Sequence, residues 1–246
     1  MSFSGKVKEE LSRQISTARH CQIAEIAAIL SVCGQVSISA NDHFCVTVHT
    51  ENVSVARKYF TLVEKTFNIE AVIHVRKNVY LKKSNVYRVE VPSHEDTVRI
   101  LQATKFMSPE QEIADDLSVM SRLVIQKECC KRAFLRGTFL AAGSISDPEK
   151  GYHLEIVCST MERAEQIQSI MKEFELDARI VTRKKNQVVY LKEGSQIVDF
   201  LGVVEVKMDA EGMQTMRNLA KNLAWMMKCF EAGKVAGVPL PETERG

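Results

Sequence analysis

The stretch RAFLRGTFLAAGSIS (Arg132–Ser146) decides the reading of this chain, because it repeats an earlier one, IAEIAAILSVCGQVS (Ile23–Ser37). Each is an apolar helical run that ends in a glycine and gives way to a short β-type segment. Aligning the two glycines gives an offset of 143 − 34 = 109 residues. Outward from this element the two copies continue in the same order. HFCVTVHTE and YHLEIVCST alternate as half-buried strands do, and VSVARKYFTLVEKTF and MERAEQIQSIMKEF carry apolar residues at helical steps of three and four. Phe67-Asn-Ile-Glu-Ala then answers Phe174-Glu-Leu-Asp-Ala, and two basic hairpins follow, VIHVRKNVYLKKSNVYRVEV and RIVTRKKNQVVYLK. The last helix of each copy begins near Ser93 or Ser195, where a serine can cap the first turn.

This order predicts an α+β protein of two αββαββα units, residues 1–105 and 128–203. Residues 106–127 hold SPEQEIADDLSVMSRLVIQK, with Ser-Pro at its start and acids in its first turn, and predict a connecting helix. Residues 204–246 lose the register of the repeat and predict a helical tail, with Leu219, Leu223, Met226, Met227 and Phe230 on an apolar stripe and Gly233 as its stop. A length of 246 residues suits about two domains. A net charge of +2 implies nothing global about an anionic partner, so local clustering carries that question.

The small residues Ala27, Ala28 and Gly34 in one copy, and Gly137, Ala141 and Gly143 in the other, predict a face on which two helices pack closely about a pseudo-twofold axis. The four-stranded sheets would then lie side by side as a saddle. The alternative is two copies that fold independently. The seven cysteines contain no C-x-x-C pair, which gives no support to a zinc ribbon or redox motif and predicts buried, reduced thiols. The six histidines are scattered, and there is no phosphate-cradling glycine loop. No metal, cofactor or small-molecule substrate is expected. The charged start and the lack of an apolar run of about 18 residues predict a cytoplasmic protein with no membrane partner.

LRGTFLAAG (Leu135–Gly143) is similar to the helix that names the LAGLIDADG homing endonucleases, and IAAILSVCG (Ile26–Gly34) is a more degraded version. SFSGKVKEELSRQ, CCKRAFLRGTFLAAGSISDPEKGYHLEIVC and KNQVVYLKEGSQIVDFL together resemble the bacterial WhiA regulators over roughly Met1 to Leu201. The resemblance implies a LAGLIDADG-like body that has lost cleavage, followed by a helix-turn-helix that binds promoters. It also implies a regulatory role in cell division, chromosome segregation and sporulation. No helix-turn-helix follows the second unit in the residues given, where MRNLAKNLAWMMKCFEAGK instead resembles the last helix of flavodoxin-like FMN reductases. A helix alone cannot bind flavin.

In endonucleases of this type the residue before the final glycine is acidic, and one acid from each helix holds the divalent metal that activates water. Here those positions are Cys33 and Ala142, and neither supplies a hard oxygen ligand. Asp147 reads as part of a turn, SDPEKG, with no equivalent acid in the first copy. The expectation is therefore a non-enzyme; an active endonuclease and a module acting only through protein contacts are the alternatives.

From Val72 to Arg88 the first hairpin holds Arg76, Lys77, Lys82, Lys83 and Arg88, and from Arg179 to Lys192 the second holds Arg179, Arg183, Lys184, Lys185 and Lys192, with no acid inside either span. Charge at the same place in both copies predicts a face for double-stranded DNA, bound weakly and salt-sensitively through phosphates, with nucleoid association and protein partners beside it. Tyr80, Tyr87 and Tyr190 are too few for a single-strand stacking platform.

Overall fold

A computed structural model describes residues 2–39, 43–77, 85–110, 112–113, 117, 120–207, 222 and 225–237. The chain separates into two units, Met1–Val206 and Lys207–Gly246. The first contains both predicted copies. Helix α1 (Phe3–Arg13) precedes them; copy one is α2 (Arg19–Cys33), β1 (Gly34–Ile38), β2 (Phe44–Thr50), α3 (Val53–Phe67), β3 (Val72–Lys77), β4 (Asn85–Val91) and α4 (His94–Ala103). Copy two is α5 (Glu128–Ala142), β5 (Gly143–Ile145), β6 (Leu154–Cys158), α6 (Met161–Glu173), β7 (Arg179–Arg183), β8 (Asn186–Leu191) and α7 (Gly194–Val203). Their antiparallel sheets have the same strand order, β1-β2-β4-β3 and β5-β6-β8-β7.

Helices α2 and α5 form the centre. Both are buried at eight consecutive positions, Ala24–Ser31 in α2 and Ala133–Leu140 in α5, so each is covered on every side over two turns. Gly137 permits their approach: a methyl group there would stand 2.9 Å from Ala28 Cβ and 2.9 Å from the Glu25 carbonyl oxygen. Positions 28 and 137 are equivalent under the 109-residue offset, so the pseudo-twofold axis passes through this contact. Ala27 is buried and Ala141 half-buried.

Gly34 and Gly143 do something other than the expected contact with the partner helix. A side chain at Gly34 would strike the Leu30 carbonyl of its own helix, and one at Gly143 would strike the Phe139 ring and carbonyl. Each glycine is the first residue of a strand, so the chain leaves the helix directly into the sheet with no loop. That exit has room for hydrogen alone.

The repeat extends to the helix ends. Helices α3 and α6 are followed by the left-handed residues Asn68 and Glu175, after which Ile69 and Leu176 turn into the core. Helices α4 and α7 close identically: Lys105 and Glu205 are left-handed, and the Phe106 and Val206 amides each donate to the carbonyl five residues back, both at 2.9 Å. The second copy therefore ends at Val206 rather than 203.

Three local expectations are corrected. No described residue of 106–127 is helical; the chain there makes an isolated bridge, Met107 to Ile113, and a turn near Arg122–Val124. Its apolar residues Phe106, Met107, Met120, Val124 and Ile125 anchor an irregular strap into the core instead of repeating along one helical face. Ser93 caps α4, accepting from the Asp96 amide at 3.3 Å, but α7 begins at Gly194 after Glu193 and has no side-chain cap, leaving Ser195 inside the first turn. In the second unit residues 225–235 are helical through Gly233, and Gly237, with φ of +72°, follows the helix instead. Met226, Met227 and Phe230 are exposed; Leu219 and Leu223 lie outside the described residues. Among the described residues no helix is long and apolar enough to cross a membrane.

Replacing Gly137 by alanine forces the helix pair apart and should destabilise the fold by about 1–3 kcal/mol, as overpacking of a tight core does. Urea unfolding measures this; an unchanged midpoint would mean that the two helices are not in contact at this position.

Candidate nucleic-acid interface and degenerate metal centre

The C-terminal ends of α2 and α5 are where the resemblance places metal-binding acids. Cys33 is half-buried, its thiol donates to the Ile29 carbonyl at 3.3 Å, and burial pushes its pKa up to about 12, against the pull of Arg163 and Lys8. It is therefore a neutral thiol at any physiological pH. Ala142 supplies no ligand atom. The charges that act on Cys33 are cationic: Lys8 from α1, lowered to about 8 by its own burial, and Arg163 from α6. The Arg163 guanidinium donates to the Ser31 hydroxyl at 2.9 Å and to the Ser31 carbonyl, tying copy two to the end of the copy-one helix. These residues do not fit a divalent metal, because an ammonium and a guanidinium act where two carboxylates would be required. Asp147 lies in a turn, as expected: its side chain accepts from the Glu149 amide at 3.2 Å and its carbonyl accepts from the Lys150 amide at 2.9 Å.

Strand register sorts the basic residues. Val46, Val48, Val89 and Val91 point into the core, so alternation and pairing put Thr47, His49, His74, Arg76, Arg88 and Glu90 on the opposite face of the first sheet. Lys77 pairs with Asn85 and has the other parity, so it does not share the face of Arg76. Lys82, Lys83 and Tyr80 lie outside the described residues. In the second sheet Leu154, Ile156 and Cys158 point inward, which puts Glu155, Arg179, Arg183 and Tyr190 on the outer face. Lys192 joins them, its ammonium 5.3 Å from the Tyr190 ring centroid. Lys184 and Lys185 form the β7–β8 turn, with Lys184 left-handed at φ 56°.

This face also carries acids that the local sequence windows left out. Glu90 forms ion pairs with Arg88 at 3.1 Å and, when the imidazole is protonated, with His74 at 3.5 Å. Glu155 accepts from His153 at 3.0 Å and Arg183 at 2.7 Å, and these bonds hold its carboxyl below the ordinary range. Arg88 and Arg183 are thus paired in the free protein. Both pairs are partly exposed and so of small worth, which leaves the guanidinium groups available for exchange onto a phosphate.

A buried network joins the two copies, and no local motif marks it. Glu25 of α2, fully buried, lies 2.9 Å from Lys58 Nζ of α3 and 3.1 Å from Arg136 Nε of α5. Lys58 also donates to the Leu11 carbonyl at 3.0 Å, and Arg136 reaches Glu205 at 2.7 Å. Burial disfavours the Arg136 charge, but Glu25 and Glu205 outweigh it and hold the guanidinium firmly ionised. The signal that was present is asymmetry: under the repeat offset Glu25 corresponds to Phe134 and Arg136 to Ala27.

Over 235 residues the chain is 48% identical to a "Probable cell division protein WhiA" of Lachnoclostridium phytofermentans, covering 94% of this chain and 75% of that protein. The chain belongs to the WhiA family. A relative of the same description from Alkaliphilus oremlandii is 36% identical over 236 residues, covering 94% of this chain and 74% of its own. The WhiA N-terminal LAGLIDADG-like domain matches residues 19–107, and the WhiA LAGLIDADG-like domain matches residues 131–221. The WhiA match thus continues past Val206 into the tail that the sequence reading set apart.

Solved structures show the same fold. Full-length DUF199/WhiA from Thermatoga maritima superposes with a TM-score of 0.65 at 19% identity, covering 96% of this chain and 74% of that one. I-DmoI, crystallised with DNA and manganese, superposes with a TM-score of 0.53 at 12% identity, covering 76% of this chain and 97% of that one. The WhiA body is therefore a LAGLIDADG architecture with Cys33 and Ala142 at the ends of its helix pair.

Replacing Glu25 by alanine strands Lys58 and Arg136 without their shared carboxylate and should cost about 3–5 kcal/mol, the usual penalty for breaking one side of a buried pair. Chemical denaturation reads this directly; a loss under about 1 kcal/mol would place Glu25 in contact with water.

Proposed function

We propose that this chain is a DNA-associated, non-cleaving protein that serves cell division as a regulator of transcription. Its curated relatives bear the description "Probable cell division protein WhiA". The observation that carries the non-cleaving part is the pairing of Cys33 and Ala142 at the ends of the helix pair, with Lys8 and Arg163 as the charges acting there. Such a centre has no means of activating water through a hard metal ion. The DNA-associated part is supported by the outer sheet faces, where Arg76, Arg88, Arg179, Arg183 and Lys192 lie on equivalent sheets of the two copies. Their groups suit phosphates rather than base edges, so the affinity they supply is for duplex DNA in general. Chromosome segregation, sporulation, protein partners and residence on the nucleoid belong to the same reading.

Two measurements test it. Supercoiled plasmid incubated with the protein and magnesium or manganese should remain intact; nicking that EDTA abolishes would restore the endonuclease reading. Anisotropy of a labelled duplex should show affinity falling steeply with salt, and the Arg76→Ala/Arg179→Ala variant should lower the log–log slope by about 1 for each phosphate contact removed. A flat salt dependence would remove duplex DNA as the ligand of these faces.

A further inference from the structure

The fold brings together one group of soft metal ligands that the sequence keeps far apart. His20 and Cys21 lie in the first turn of α2, and Cys129 and Cys130 in the first turn of α5. The two dipeptides are equivalent under the repeat, since 129 − 20 = 109 and 130 − 21 = 109. The axis that sets Ala28 against Gly137 therefore also sets these dipeptides against each other, at the N-terminal end of the helix pair. One ligand atom from each of the four residues lies within 4.8 Å of all the others. His20 Nδ1 is 3.2 Å from Cys130 Sγ and 3.3 Å from Cys21 Sγ.

We propose that His20, Cys21, Cys129 and Cys130 form a structural zinc site that staples the two repeats together. Three thiols and one imidazole are a ligand set of tetrahedral structural zinc, with metal–sulfur bonds of about 2.3 Å and metal–nitrogen bonds of about 2.0 Å. A tetrahedron of those bonds spaces sulfur from nitrogen by roughly 3.5 Å and sulfur from sulfur by roughly 3.8 Å. The two nitrogen–sulfur separations already have that length, and the widest remaining separation needs to close by about 1 Å. Sulfur and imidazole select zinc over magnesium, so this end of the helix pair has the chemistry that the Cys33 end lacks for a hard ion.

The surroundings suit a bound ion. Cys21 and Cys130 are 4% and 3% exposed and are fixed by the helix packing, whereas His20 and Cys129 are exposed and leave an entry path. Neither α2 nor α5 has a side-chain cap, since Ala18 and Lys127 precede them and provide no capping bond. Two uncapped helix ends thus converge on a centre where three thiolates and a dication leave a single negative charge, the sign a helix N-terminus favours. The two cysteine-bearing turns lie about 18 Å along the helices from Cys33 and Ala142, at 1.5 Å per residue, so the site is separate from the degenerate centre.

The test uses the full chain, purified without a metal-binding tag and kept reduced. Elemental analysis should find one zinc per chain. Cobalt(II) added to the metal-stripped protein should give the visible bands of tetrahedral coordination together with thiolate charge-transfer absorption in the near ultraviolet. Cys129→Ser and His20→Ala alter exposed residues that the core tolerates, and each should weaken cobalt binding by more than the roughly 10–100-fold that loss of an outer-shell partner costs. Cys229→Ser removes a thiol outside the group and should leave binding unchanged. His20→Cys should retain the metal and raise the charge-transfer absorption by about a third, as three thiolates become four. Wild-type protein that holds no zinc and gives no tetrahedral cobalt spectrum would overturn the proposal. So would a Cys129→Ser variant with undiminished affinity, or a disulfide joining Cys21 to Cys129 or Cys130 in protein purified without reductant.

Discussion

The approach of α2 to α5 at Ala28 and Gly137 is the constraint on which the rest of the molecule depends. Each copy supplies one helix that is buried on every side, with only a single sheet of its own to cover it. Mutual burial across a pseudo-twofold axis satisfies both. The approach is close because position 137 has no side chain and position 28 has only a methyl group. From that contact the two strands β1 and β5 leave without loops, since Gly34 and Gly143 let each helix pass straight into its sheet. The positions of both sheets thus follow from one interface.

A duplicated interface of this kind has an inherent ambiguity, because two similar helices can pair in more than one way. The buried carboxylate of Glu25 removes it. Its partner Arg136 has no equivalent in the other copy, where the corresponding residue is Ala27, and Lys58 reaches Glu25 from α3 of the first copy. Only one arrangement of the halves unites these charges; any other leaves ionised groups buried without partners, at a cost of several kcal/mol. Glu205 joins the network from just beyond α7, so the end of the second copy is tied to its beginning. Arg163, reaching from α6 to Ser31, is a second asymmetric tie between the copies.

The two ends of the helix pair differ in chemistry because the repeat diverged differently at each. At the C-terminal end the equivalent positions are Cys33 and Ala142, with Lys8 and Arg163 as the charges acting on Cys33. At the N-terminal end they are His20 with Cys129 and Cys21 with Cys130, all four being residues that bind soft metals. The outer sheet faces are mixed rather than uniformly basic: Glu90 and Glu155 hold Arg88 and Arg183 in partly exposed pairs. Such pairs offset part of the positive charge on these faces, and their exposure makes each of them weak.

The sequence by itself determined the duplication, the order of elements in each copy, the small-residue helix pair and the loss of acids at Cys33 and Ala142. These are legible because they are local or periodic: a helical stripe, an alternating strand and a repeat offset are all visible along the chain. Residues 106–127 misled, because Ser108-Pro109 and a run of apolar residues look alike whether they form a helix or fasten a strap into the core. Only the tertiary structure decided which charges meet. Lys77 faces away from Arg76 by strand parity, Glu90 of β4 and Glu155 of β6 bring acids to the basic face, and Glu25 finds Arg136 across 111 residues. It alone gathered His20 and Cys21 with Cys129 and Cys130, because spacing rules look for ligands that are near in sequence, whereas this set is near only through the axis relating the two repeats.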